Sequence, residues 1–207
     1  DASGNLYFAD IGNHRIRRIA PNGTIETFAG NGMRVDAGDG GAARKASFVD
    51  VNDLAIDKNG NLFVSEPNGH RIRKITSAGI VSTYAGKGSG SYGGDHGPAT
   101  AAYLYLPLGI AVDGAGNLFI ADSFNRRVRR VATNGTITSF TGGQFSTGPY
   151  NVTTDKSGNV FVSLDCRLTK FNSAGVAQIT YDGYPQVCQR GAGGALATNG
   201  GFGAVVD

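Results

Sequence analysis

Three carboxylates recur at a fixed spacing: Asp10, Glu66 and Asp122 stand 56 residues apart, and Asp165 follows in a fourth copy, displaced by one step. Oxygen ligands at repeated positions suit a hard cation such as Ca²⁺. Asp10, Glu66 and Asp122 are therefore the metal-ligand candidates, and Ca²⁺ is the one cofactor the pattern suggests. Recurrence fits a structural use equally well, each carboxylate accepting backbone N–H bonds in its own tight turn. Histidine offers less. His14 and His70 share the 56-residue spacing and so read as structural, while His96 stands alone in a glycine-rich loop. No Ser-His-Asp, Cys-His or H-E-x-x-H arrangement appears, so binding is expected rather than catalysis. The two cysteines, Cys166 and Cys188, are disulfide candidates. A bridge would close a loop of about 22 residues, contribute ~3 kcal/mol by loop entropy, and fit an extracellular or periplasmic protein. Two separate thiols are the alternative.

The elements that must position these residues are written in the repeats. Asp1-Ala2-Ser3-Gly4-Asn5, Asp57-Lys58-Asn59-Gly60-Asn61, Asp113-Gly114-Ala115-Gly116-Asn117 and Asp155-Lys156-Ser157-Gly158-Asn159 are copies of one D-x-x-G-N turn, and Asp207 opens a fifth. Their starts lie 56, 56, 42 and 52 residues apart. Glycine and asparagine supply the positive φ angles that a tight hairpin turn demands. An apolar strand precedes each turn (Asp53 to Ile56, Gly109 to Val112, Asn151 to Thr154, Gly203 to Val206) and another follows it. A third strand is expected at Arg15 to Ile19, Arg71 to Ile75, Arg127 to Val131 and Arg167 to Phe171. A further glycine turn then leads to a fourth, as in Thr24 to Phe28 and Thr136 to Phe140. Four short antiparallel strands per ~40–50 residues mark the blade of an all-β propeller. One blade cannot bury both faces, so neighbours must stack.

Composition agrees. Glycine supplies 33 of 207 residues, without the three-residue period of collagen. The chain is 40% hydrophobic and 17% charged, which excludes a disordered polymer. No apolar run approaches the ~20 residues of a membrane-spanning helix. The net charge of +3 implies no particular partner.

Asn13-His14-Arg15-Ile16 and Gly69-His70-Arg71-Ile72 resemble the N-H-R-I core of NHL repeats, and Asn125-Arg126-Arg127-Val128 keeps the pattern with arginine for histidine. Gly38-Asp39-Gly40-Gly41-Ala42-Ala43 and Gly94-Asp95-His96-Gly97-Pro98-Ala99-Thr100 resemble the G-D-G-G-P-A-T insertion of long bacterial NHL arrays. The resemblance implies one NHL β-propeller domain over residues 1–207, or part of one, with repeats starting at about 1, 57, 113 and 155. Rings of this family usually have six blades, so two arrangements stay open: an excerpt of a larger ring within a longer chain, or a four-bladed ring closed by the C-terminal strand. The family also implies that ligands approach the face built from the second-to-third strand turns and the loops leading into the innermost strands.

Those innermost strands carry Asn52, Asp53, Tyr150 and Asn151, which break the apolar repeat positions held by Pro107 and Leu108. Structural residues should repeat and site residues need not, so these four are the ligand-binding candidates. The expected partner is a protein, peptide or glycan held on rigidly mounted loops. A metal-dependent lyase or hydrolase at the channel mouth is the second reading, and a spacer within a larger array the third. Nucleic acid is disfavoured although arginine recurs along the third strands. Those arginines repeat with the blade and have acidic neighbours, and Tyr7, Phe63, Phe119 and Phe161 read as core, with no exposed stacking platform implied.

Overall fold

A computed structural model describes residues 1–165 and 167–182. The described chain is all-β, a propeller-type array of antiparallel sheets packed side by side in sequence order. Blade 1 contains β1 (Leu6–Asp10), β2 (Arg15–Ile19) and β3 (Ile25–Ala29). Blade 2 runs β4 (Leu54–Ile56), β5 (Leu62–Glu66), β6 (Arg71–Ile75) and β7 (Val81–Ala85). Blade 3 runs β8 (Pro107–Val112), β9 (Leu118–Asp122), β10 (Arg127–Val131) and β11 (Ile137–Ser139). Blade 4 runs β12 (Pro149–Thr154), β13 (Val160–Leu164), β14 (Arg167–Phe171) and β15 (Ala177–Asp182). Each sheet is a plain meander in chain order. Blade 1 has three strands among the described residues; the strand expected at Gly203 to Val206 lies outside them, as do Cys166 and Cys188.

The D-x-x-G-N turn works as its residues suggest. Asp57 Oδ1 accepts the backbone N–H groups of Asn59 and Asn61 at 2.9 and 2.8 Å, while Oδ2 accepts from Asn61 Nδ2 at 2.7 Å. Asp1, Asp113 and Asp155 repeat this set. Gly4, Gly60, Gly116 and Gly158 all take positive φ. The third strands occupy the expected residues. The fourth strand of blade 3 is shorter than expected, spanning Ile137–Ser139, and the Phe140 ring that follows packs edge-on to Phe119 and Phe171.

Alternation along the strands buries one face of each blade on the next. Between blades 1 and 2 lie Ile16, Ala29, Phe48, Val51, Leu62, Val64, Ile75 and Val81. Between blades 2 and 3 lie Phe63, Ile72, Leu104, Ile110, Leu118, Ile120 and Ile137. Phe63 belongs to this core, and Phe119 to the one between blades 3 and 4, with Ala121, Val152 and Val162. The Gly-Asp loops stitch neighbouring blades together. The loop after β3 pairs with the outer edge of β7, where Gly40 N–H donates to Val81 O at 2.8 Å and Val81 N–H to Gly41 O at 3.0 Å. The loop after β7 does the same to β11 through His96, Gly97 and Ile137.

Candidate functional site

The recurring carboxylates sit at the ends of the second strands, and burial grades them. Asp10 is partly exposed and meets Arg17 at 3.7 Å and Asn13 Nδ2 at 2.8 Å. Glu66 is fully buried, accepting from Arg71 Nε at 2.7 Å, from Arg73 at 3.5 Å and from the Val49 N–H at 2.7 Å. Asp122 is fully buried as well, accepting from Tyr105 N–H at 2.7 Å, Asn125 Nδ2 at 2.9 Å and Arg129 at 3.3 Å. Burial pushes the Glu66 carboxyl up against these donors and the Asp122 carboxyl up to about 6. The backbone amides they accept belong to the loops leading into β4 and β8, so the carboxylates tie loop to blade instead of capping their own turns. Their oxygens are thus occupied by arginine and amide donors, and among the described residues no three His, Cys, Asp or Glu side chains come together as a metal site.

The third-strand arginines are the other half of this network. Arg73 and Arg129 are fully buried and reach outward to Asp39 and Asp95 of the Gly-Asp loops. Asp39 also accepts from Thr83, and Asp95 from Ser139 and Tyr92. Burial raises both carboxyls, but the hydroxyls and arginines outweigh it and leave them below the usual carboxylate range. Arg71, Arg73 and Arg129 are therefore internal ties between strand and loop and not part of an exposed basic stripe.

Asn52 and Asp53 lead into β4, and Tyr150 and Asn151 lie in β12, with the inner strand of blade 3 between them. Asp53 Oδ1 accepts from Leu54 N–H and Oδ2 from Ile110 N–H, both at 2.8 Å, so the carboxylate bridges blades 2 and 3. Burial raises its pKa, partly offset by the Ile110 and Leu54 amides. Asn52 reaches Leu108 O at 3.4 Å. Asn151 Oδ1 accepts from Val152 N–H at 2.8 Å, and a Cβ on Gly109 would lie 2.5 Å from that oxygen. Gly109 breaks the repeat because Asn151 occupies its side-chain space. Tyr150 is exposed, and its hydroxyl donates to Asp165 at 3.1 Å.

An exposed aromatic group appears where sequence reasoning expected none. His70, Tyr105 and Phe124 form a stepped cluster at the junction of blades 2 and 3, with ring centroids 5.4 and 5.0 Å apart. Tyr105 is 37% and Phe124 57% exposed. Leu106 N–H donates to His70 Nδ1 at 3.3 Å, which fixes the ring. Burial lowers the His70 pKa despite the nearby Asp50, keeping the imidazole neutral. Leu106 itself holds φ of 49°, a costly value for a branched side chain that is more common near functional sites. The equivalent positions are Val49 for Tyr105, and Gly12 and Asn68 for Phe124. Departure from the repeat was the signal available in the sequence. Lys87, stacked on Tyr103 at 3.6 Å, and Arg126 and Arg127 of the adjoining turn form no ion pair among the described residues.

A concavity of about 410 Å³ opens at the opposite end, between the D-x-x-G-N turns of blades 2 and 3. Asp57, Asp113, Phe63, Tyr84 and Lys74 line it, with the Lys74 ammonium over the Phe63 and Tyr84 rings at 5.7 and 5.8 Å. Its acidic residues are committed to their turns.

No protein-family profile matches the chain. Human Teneurin-4 is 30% identical over 149 residues, covering 63% of this chain, and Teneurin-m of Drosophila melanogaster is 27% identical over 140 residues, covering 60%. The matched segment is 5% of each of these relatives. Among solved structures, a streptogramin B lyase superposes with a TM-score of 0.64 at 17% identity, covering 91% of this chain and 54% of the lyase chain. A putative gluconolactonase superposes with a TM-score of 0.63 at 16% identity, covering 88% of this chain and 61% of that one. These likenesses carry the fold: an all-β propeller array spanning about half the length of its structural neighbours.

Proposed function

We propose that this chain is a segment of an NHL-type propeller that works as a rigid binding platform, holding a protein, peptide or glycan on its loop-bearing face. The observation that carries this reading is the His70–Tyr105–Phe124 cluster: partly exposed, built on two rings that do not repeat, pinned by a strained loop and flanked by cations without carboxylate partners among the described residues. Aromatic side chains supply large contact area at low entropic cost. Ile11, Met33 and Tyr150 extend the exposed apolar surface of the turns and loops at this end. The blades hold the loops in place before binding, so little backbone ordering opposes association. Similarity to a short segment of the teneurins supports placement within a longer chain. The test is a screen of immobilised glycans and displayed peptides against the wild type, Phe124→Ala, Tyr105→Ala and Lys58→Ala. Lys58 is exposed at the opposite end. Ligands lost on Phe124→Ala and kept by Lys58→Ala support the platform; ligands indifferent to both place recognition elsewhere.

The second reading, a metal-dependent lyase or hydrolase, is favoured by the names of the structural neighbours. It would use Asp53 and Asn151 at the inner strands, whose hydrogen bonds commit these side chains to backbone amides of β4, β8 and β12. A melt in EDTA and then in excess Ca²⁺ or Zn²⁺ separates the two. A site at a hundredfold excess over its Kd adds about 2.7 kcal/mol, and a melt indifferent to metal removes this reading.

A further inference from the structure

Among the described residues, blade 1 presents one half of an interface that the chain completes twice elsewhere. In blades 2 and 3 the outer strand receives a Gly-Asp strap from the preceding loop. Ala43 N–H donates to Gly79 O and Ala99 N–H to Gly135 O, both at 2.9 Å or less, and the strap exchanges two further bonds with Val81 or Ile137. The strap aspartate then accepts from the cross-strand pair Arg73 and Thr83 in blade 2, and from Arg129 and Ser139 in blade 3.

Blade 1 carries the same receiving set. Arg17 pairs with Thr27 across β2 and β3, and Ile25 stands where Val81 and Ile137 stand. No strap reaches them among the described residues. Arg17 remains 28% exposed, with Asp10 at 3.7 Å as its ion-pair partner. Leu6 and Ile25 are 61% and 51% exposed, whereas Leu62, Leu118, Val81 and Ile137 are 0–2% exposed.

Blade 4 supplies the internal control. The loop ahead of it, residues 142–147, is too short for a strap, and there the arginine is replaced by Thr169, which bonds Thr180 across the strands at 3.2 Å. A buried-type arginine at this position goes with an aspartate strap, and its loss goes with a short loop. Arg17 and Thr27 therefore anticipate an aspartate.

We infer that the outer edge and leading face of blade 1 are a docking surface for a further blade of the same repeat type, whose Gly-Asp strap pairs with Ile25 and whose aspartate bonds Arg17 and Thr27. The chain's own stretch Gly191-Ala192-Gly193-Gly194-Ala195 has alanine where the straps at 38–42 and 94–98 have aspartate, so a second copy offering that stretch lacks the required carboxylate.

The test uses the full chain with a synthetic peptide of residues 37–51 as the strap, and its Asp39→Asn version. Amide hydrogen exchange reads Ile25 against Val81 and Ile137 as internal standards. The expected result is fast exchange at Ile25 in the chain alone, protection of at least tenfold at millimolar peptide, and loss of that protection with the Asn peptide or with Arg17→Thr. That variant adopts the residue type blade 4 already uses, and unchanged protection at Val81 and Ile137 confirms that it folds. Slow exchange at Ile25 without peptide, with a dimer in sedimentation velocity, would assign the surface to a second copy and overturn the proposal. Slow exchange in a monomer would assign it to the chain itself, and an unresponsive Ile25 amide at millimolar peptide would also overturn it.

Discussion

Arg17 and Arg129 occupy the same repeat position in different surroundings, and replacing each with methionine separates what burial contributes from what the repeat contributes. Arg129 has no exposed surface and makes four hydrogen bonds: to Asp95 at 2.7 Å, Tyr103 O at 3.1 Å, and Asp122 and Gly93 O at 3.3 Å. Methionine roughly preserves the volume but leaves Asp122 buried without its cation and releases the Gly-Asp strap. Breaking a buried pair by removing one partner costs about 3–5 kcal/mol. For a chain of this size each kcal/mol lowers Tm by about 2–4 °C, so Arg129→Met is expected to lower it by roughly 6–20 °C. Arg17 is partly exposed and meets Asp10 at 3.7 Å, a geometry worth about 0–1 kcal/mol. Urea unfolding followed by circular dichroism measures both variants against the wild type. Equal losses, or a loss below about 1 kcal/mol for Arg129→Met, would refute the assignment of the arginine–aspartate network as the tie between strand and loop.

Other outcomes follow from the same structure. The Asp122 carboxyl is raised to about 6, above its unfolded value near 3.9, so between those values the folded state binds the extra proton. Its contribution is greatest below pH ~3.9, declines as pH rises to about 6, and levels off above that; melts from pH 4 to 7 should show a shallower decline for Asp122→Asn. Gly109→Ala places a Cβ 2.5–2.9 Å from Asn151 and from the Tyr150 carbonyl, and the forced shift should cost about 1–3 kcal/mol in denaturant midpoints. Asp53→Ala removes the acceptor for two buried-strand amides, Leu54 and Ile110, at about 1–3 kcal/mol, whether or not metal is present; a cost that appears only with added Ca²⁺ would restore the metal reading.

The sequence by itself determined the blades. Aspartate, glycine and asparagine at fixed spacing can satisfy one another within five residues, so the D-x-x-G-N turns and the strands beside them are local chemistry, legible without a neighbour. What the carboxylates and arginines do was decided by tertiary structure. Asp10, Glu66 and Asp122 look alike in the sequence, yet Glu66 and Asp122 are buried against the loops before β4 and β8, because each closes a contact between its own blade and a segment 17 residues upstream. The same holds for the exposed cluster. Tyr105 and Phe124 are 19 residues apart and His70 lies in another blade; each alone reads as a core aromatic or a turn residue. Only the packing of blade 3 on blade 2 brings the three rings together on the open end of the loops, since contact between side chains of different blades is set by stacking geometry and not by any local preference.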